Sequence, residues 1–113
     1  MSEYNERDIF VIHGRNLHIR DSIFEFLISL GLHPISFEEA KQKTGKGSPY
    51  ILEILEEAIS VQVTIIALFT PDDIAYLNPI FHRASDSEKD KKPMGQSRQN
   101  VIFETGMALA INP

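Results

Sequence analysis

Hydrophobic positions along the chain alternate between short continuous runs and longer stretches with helical spacing. "DIFVIHG" (Asp8–Gly14) is a run of β-formers between a charge and a glycine, the signature of a strand buried on both faces, and it predicts a strand over Asp8–His13. In "RNLHIRDSIFEFLISLG" the apolar residues Ile19, Ile23, Phe24, Phe26, Leu27 and Leu30 recur at helical spacing, with Gly31 as the stop. "HPISF" (His33–Phe37) reads as a second strand; Pro34 cannot donate to a ladder, so its place is an edge. "EEAKQKTGKGS" reads as a loop, with Ser48 as N-cap and Pro49 as first residue of the next helix. That helix is expected to bury Ile51, Leu52, Ile54, Leu55, Ala58 and Ile59 and to turn Glu53, Glu56 and Glu57 to water.

"VQVTIIALF" (Val61–Phe69) predicts the third strand, and Thr70–Leu77 a loop or short turn of helix. Residues His82–Arg98 are polar and charged and read as a mobile connection. A last helix follows in "RQNVIFETGMALA" (Arg98–Ala110). The β-α-β-α-β-α order, with helices long enough for right-handed crossovers, predicts an α/β class: a flavodoxin-like parallel sheet with helices on both faces and strand order 2-1-3. At 113 residues the chain reads as a single domain over 1–113. Its third strand is left with an open edge, so C-terminal strands are expected to be missing, or a partner chain to cover that edge.

An apolar fraction of 42% and a charged fraction of 24% are ordinary for a soluble domain. The net charge of -5 argues against a nucleic-acid surface, and the scattered acidic residues favour solubility over any particular partner. The absence of cysteine excludes disulfides, thiolate metal sites and a thiol nucleophile. The opening MSEYNERD is no signal peptide and no apolar run reaches membrane-spanning length, so no membrane partner and a cytoplasmic location are expected.

Ligands of open α/β sheets bind beyond the carboxyl ends of the strands. Those ends are His13-Gly14-Arg15-Asn16, Phe37-Glu38-Glu39 and Thr70-Pro71-Asp72-Asp73, with Asn100 and Glu104 of the last helix beside them. In "HGRN" the bland reading has Gly14 turning the chain, Asn16 capping a helix and Arg15 solvated; the functional one gives Arg15 a phosphate to grip. "KTGKGS" fails as a P-loop, because Ala40 replaces the first glycine and Gly47 stands where Ser or Thr must hold magnesium. The four histidines His13, His18, His33 and His82 show no ligand spacing, so no metal is assigned. No strained elbow motif supports a Ser-His-Asp reading.

Glu104 poses a sharper problem. Relative to Val101 it falls about 300° around the helix, between Ala108 at roughly 340° and Ile111 at roughly 280°. A helix apolar on all sides is usually buried, and an ionised carboxylate without partners is costly to bury. One reading leaves Glu104 near the helix N-terminus, favoured by the macrodipole and paired to Arg98. The other places it in a half-dry cleft, where burial raises its pKa and strengthens charge stabilisation.

Taken together, "FVIHGRN", "GLHPISFEEAKQKTGKGSPYI", "ALFTPDD" and "RQNVIFETGMALA" resemble the bacterial TIR-like domain found in TIR effectors of CBASS and Pycsar anti-phage systems, over about Asp8 to Asn112. The resemblance implies a TIR fold and cleavage of NAD⁺ to nicotinamide and ADP-ribose or a cyclic form, with NAD⁺ as substrate and no cofactor. It implies Glu104 as the catalytic residue, and His13, Gly14, Arg15, Phe37, Thr70, Asp72 and Asn100 as the substrate-binding set. Phe37 stands where the family often has Trp, and an aromatic face survives. Homo-oligomerisation through TIR–TIR contacts, and a sensor domain or partner outside these residues, are further implications. Family members continue into further strands. A non-enzymatic interaction scaffold, or a simple nucleotide-binding module, is the alternative, and the test between them is whether Glu104, Phe37 and Arg15 line one cleft.

Overall fold

The computed structural model describes residues 5–43, 51–58 and 63–111. Its central strand β1 (Asp8–Ile12) is buried at every position and pairs in parallel with β2 (His33–Ile35) on one side and β3 (Thr64–Ala67) on the other. The order β2-β1-β3 is the one expected, with the Pro34 strand outermost. Among the described residues nothing pairs with the far side of β3.

Side-chain alternation along β1 sorts the helices into two layers. Ile9 and Val11 point to α1 (Leu17–Ser29), where Leu27 is buried and Ile23 and Phe24 pack against it. Phe10 and Ile12 point the other way, onto Ile35, Ala40 of α2 (Phe37–Lys43), Ile54 of α3 (Ile51–Ala58), and Val101 and Ala108 of α5 (Gln99–Ile111). The α/β architecture with helices on both faces of a parallel sheet is therefore present, and it is consistent with a flavodoxin-like fold.

Strand ends are shorter than expected. β1 stops at Ile12, and β3 runs only over Thr64–Ala67. The second strand ends at Ile35 because Ser36 caps a helix: its hydroxyl accepts from Glu39 N at 3.2 Å and its carbonyl from Ala40 N at 3.0 Å. Phe37 is thus the first residue of α2, not the last of a strand, and Phe37–Lys43 is helix where a loop was expected. The readings of Ser48, Pro49, Ile59 and the strand start at Val61 lie outside the described residues, as do the side chains of Ile51, Leu52, Leu55 and Ala58. Of the glutamates expected to face water, Glu56 is exposed, whereas Glu53 and Glu57 are half-buried.

Beyond β3 the chain forms an unforeseen ribbon, in which β4 (Asp73–Ala75) pairs antiparallel with β5 (Met94–Gln96). A 3₁₀ turn (Pro79–Phe81) and the short α4 (Glu88–Lys91) lie between them, so the stretch over 82–98 carries regular structure where a mobile connection was expected. Gly95 lets the ribbon close, since a Cβ there would meet the ring of Pro71 at 2.6 Å.

α1 and α5 bury less than their composition suggests. In α1, Ile19 and Phe26 are exposed, as is Leu30 at its C-cap. In α5 the inward face is Val101, Glu104 and Ala108, while Ile102, Phe103 and Leu109 face out, so the helix is not apolar on all sides in its setting. At the opposite end of the sheet, buried Asp8 accepts from Asn5 N and lies 2.9 Å from His33 Nδ1, tying the start of β1 to that of β2. Among the described residues no helix is long and apolar enough to cross a membrane, and no His, Cys, Asp and Glu cluster could hold a metal ion.

Candidate functional site

A cleft of about 640 Å³ opens beyond the carboxyl end of β1, within the range of small-molecule sites. Its floor is Phe10 and Val11, and the loop His13-Gly14-Arg15 with Leu17 forms one wall. Phe37 at the start of α2 closes a second side, held by packing on the main core. The first turns of α5 supply the third wall through Gln99, Asn100, Phe103 and Glu104.

Glu104 is the polar centre of this space. It is only 9% exposed, and burial raises its carboxyl above the ordinary value of 4.5. The side chain of Asn100, one turn earlier, donates a hydrogen bond to it and offsets part of that rise, because the bond favours the charged form. The macrodipole reading does not hold: no acidic residue lies in the first turn of α5, and the dipole fades beyond that turn. Nor is Arg98 its partner, since Arg98 Nε lies 4.0 Å from Asp73 Oδ1. Glu104 is thus a carboxylate held in a largely apolar cleft without an ion-pair partner among the described residues.

The loop wall is built by hydrogen bonds. His13 Nδ1 lies 2.9 Å from the carbonyl of Gly14, which leaves Nε2 uncommitted by that contact. Asn16 caps α1, its side chain accepting from Ile19 N at 3.1 Å. Arg15 is exposed, and its guanidinium makes no ion pair among the described residues. Asp72 reaches the loop from behind: its Oδ2 accepts Arg15 N at 2.7 Å and Asn16 N at 3.3 Å, and its Oδ1 accepts Thr70 Oγ1 at 2.7 Å.

The cleft therefore gathers His13, Gly14, Arg15, Phe37, Asn100 and Glu104 from the expected set. Thr70 and Asp72 are outside its lining and touch it only through the loop. Leu17, Gln99 and Phe103 line it without having been foreseen. The last two had a legible signal: 99 and 103 are one turn apart, as are 100 and 104, so the four share one helical face.

Comparison with known proteins adds a family. The model of the CAP12/Pycsar effector protein TIR domain matches residues 8–113. "Protein tirC" of Dictyostelium discoideum is 34% identical over 103 residues, covering 90% of this chain and 46% of that protein. The chain thus spans about half the length of this curated relative. No solved structure matches at a significant level.

Proposed function

The chain belongs to the TIR domain family of the CAP12/Pycsar effector proteins, and on that premise we propose that it is an NAD⁺ nucleosidase acting as an effector of bacterial anti-phage defence. The observation that carries the reading is the lone buried Glu104, which shares one cleft with Arg15 and Phe37. A pure interaction scaffold needs no such convergence.

The chemistry suits a single carboxylate. Most glycosidases need two carboxyl groups, one of them to protonate the leaving group. In NAD⁺ the nicotinamide is already cationic. When the bond from C1′ to its ring nitrogen breaks, the electron pair goes to that nitrogen and nicotinamide leaves neutral, so no general acid is required. The ribose is left with oxocarbenium character, which the ionised Glu104 stabilises at close range in a poorly hydrated site. Water then adds to C1′ and loses a proton, giving ADP-ribose; attack by a group of the same molecule gives a cyclic product instead.

Asn100 orients the Glu104 carboxylate, Phe37 offers an aromatic face for stacking, and Arg15 meets the phosphates. His13 and Gly14 complete the substrate wall, with Thr70 and Asp72 acting behind it. NAD⁺ is substrate, and no cofactor is needed. The active form is a homo-oligomer with TIR–TIR contacts, switched on by a sensor domain or partner and drawing on the cytoplasmic NAD⁺ pool. Exclusion of water on assembly would strengthen the Glu104 charge.

The test is nicotinamide release from NAD⁺ at high protein concentration, for the wild type and Glu104→Gln. Release by the wild type alone supports the reading. Equal release by both, or none by an assembled wild type, overturns it.

A further inference from the structure

The start of α1 is where a doubly wound fold commonly seats a phosphate, because the first backbone N–H groups of a helix are unpaired and carry positive potential. Here the donors leading into the helix are taken. Arg15 N and Asn16 N, of the residue before the cap and the cap itself, both point at Asp72 Oδ2, 57 positions from Arg15, while Leu17 N bonds the Arg15 carbonyl and Ile19 N the Asn16 side chain. The other carboxylate oxygen is fixed by Thr70 Oγ1. Gly14 is part of the same fit, since a Cβ on it would run into Asp72 Oδ2.

We propose that Asp72 is a positioning residue that fills the anion seat of the β1–α1 loop with its own carboxylate, so that the phosphates of a dinucleotide are met by the Arg15 guanidinium and not by loop backbone. The part about phosphates rests on the nucleotide reading above; the filled seat does not. An internal carboxylate already satisfies the donors that a phosphate would seek, and a second anion there meets like charge. Held from behind, the loop turns outward a side chain that has no ion-pair partner among the described residues, Arg15. A guanidinium suits diphosphate, because its fixed fork can bond two oxygens at once. The lowered pKa of Asp72, caused first by the Thr70 hydrogen bond and then by the two backbone donors, agrees with a carboxylate that stays ionised in its seat.

Amide NMR with inorganic pyrophosphate as the probe tests this without calling on enzymatic activity. In the wild type, pyrophosphate should leave the Arg15 and Asn16 backbone amides unmoved. In Asp72→Ala both amides should shift and pyrophosphate affinity should rise at least about tenfold, since two charge-assisted bonds are recovered. Without pyrophosphate, the wild-type amides should titrate with Asp72 at a midpoint below 3.8. If Asp72→Ala does not fold, Thr70→Val, which frees only one carboxylate oxygen, should give a smaller gain of the same kind.

Wild-type amides that respond to pyrophosphate as strongly as those of the variant overturn the proposal, as does a folded variant whose amides ignore it. With NAD⁺, Asp72→Ala should lower kcat about tenfold without raising KM, because the phosphates settle on loop backbone and carry the ribose away from Glu104, with Asp72→Asn in between. A raised KM at unchanged kcat overturns the positioning role. A wild type that cleaves no NAD⁺ while the pyrophosphate results hold would overturn the nucleosidase reading and leave the filled seat standing.

Discussion

Glu104 and Phe103 are neighbours on α5 and both line the cleft, yet the carboxylate is 9% exposed and the phenyl ring 59%. A helix selected for stability alone would reverse them, since burial disfavours charge and favours an aromatic ring. The inversion is what the proposed site requires, with stability subordinate to chemistry. It has a measurable cost.

Because the Glu104 pKa is raised in the folded state, the folded protein binds a proton more tightly than the unfolded chain. Stability linked to this group is complete below the ordinary value of 4.5 and is lost as pH rises through the folded value. Glu104→Gln, which cannot ionise, should therefore melt higher than the wild type at pH 7, and the gap should close below about pH 4.5. Thermal melts across pH check this; a variant that melts lower at pH 7 would mark Glu104 as a structural carboxylate.

Asn100 should set the acid limb of activity. If Glu104 acts as proposed, turnover needs it ionised, so kcat should rise with pH around a midpoint above 4.5. Asn100→Ala removes a bond to the charged form and should move that limb to higher pH. An unmoved or lowered midpoint in a pH–rate profile would exclude Asn100 from this role.

Gly14→Ala should reproduce the effect of losing the Asp72 contact, because the new methyl group takes the place of Oδ2. The expected phenotype is a kcat lowered about tenfold without a rise in KM and with the fold retained. Combined with Asp72→Ala, it should add little, since both remove one interaction. Full additivity in the double-mutant cycle would show that Gly14 matters for another reason.

Ile35 is fully buried between β1 and the helices of the main core. Ile35→Val should cost about 0.5–1.5 kcal/mol and Ile35→Ala about 2–5 kcal/mol of unfolding free energy. Urea titrations measure both. The larger truncation should also reduce activity, because α2, which carries Phe37, packs on this cluster.

Specific activity should rise with protein concentration if assembly completes the site, and dilute monomer should be nearly silent. Light scattering alongside nicotinamide release decides it. Full specific activity in a demonstrated monomer would remove the assembly requirement.

What the sequence disclosed follows local physics. The apolar run of β1 needs burial on two faces, and Gly31 ends α1 in a left-handed conformation, φ +80°, that glycine adopts freely. Asn16 caps as its position suggests. The start of α2 was readable and went unread: Ser36-Phe37-Glu38-Glu39 fits the serine and glutamate spacing of a capping box, a signal overshadowed by the β-like "HPISF". The β4–β5 ribbon had no such signal, because Asp73–Ala75 and Met94–Gln96 are too short for a period and find each other across a long polar connection. Asp72 shows the same limit at the site. Its place beyond the third strand and the family resemblance suggested a ligand contact, and only the fold reveals that its carboxylate is turned toward a loop far behind it in the chain.

The distance between Arg15 and Asp72 also orders events on the ribosome. At about 5–20 residues per second, synthesis of the 57 residues from Asn16 through Asp72 takes roughly 3–11 s, during which the nascent loop has no carboxylate to hold it. β3, the second partner of β1, arrives just before Asp72, and Glu104 only after both. A chain cut short ahead of Asp72 carries an unshaped loop, and one cut short ahead of α5 carries the shaped loop with no Glu104. If the protein consumes NAD⁺ as proposed, the producing cell is exposed to that hazard only once the final helix has been made.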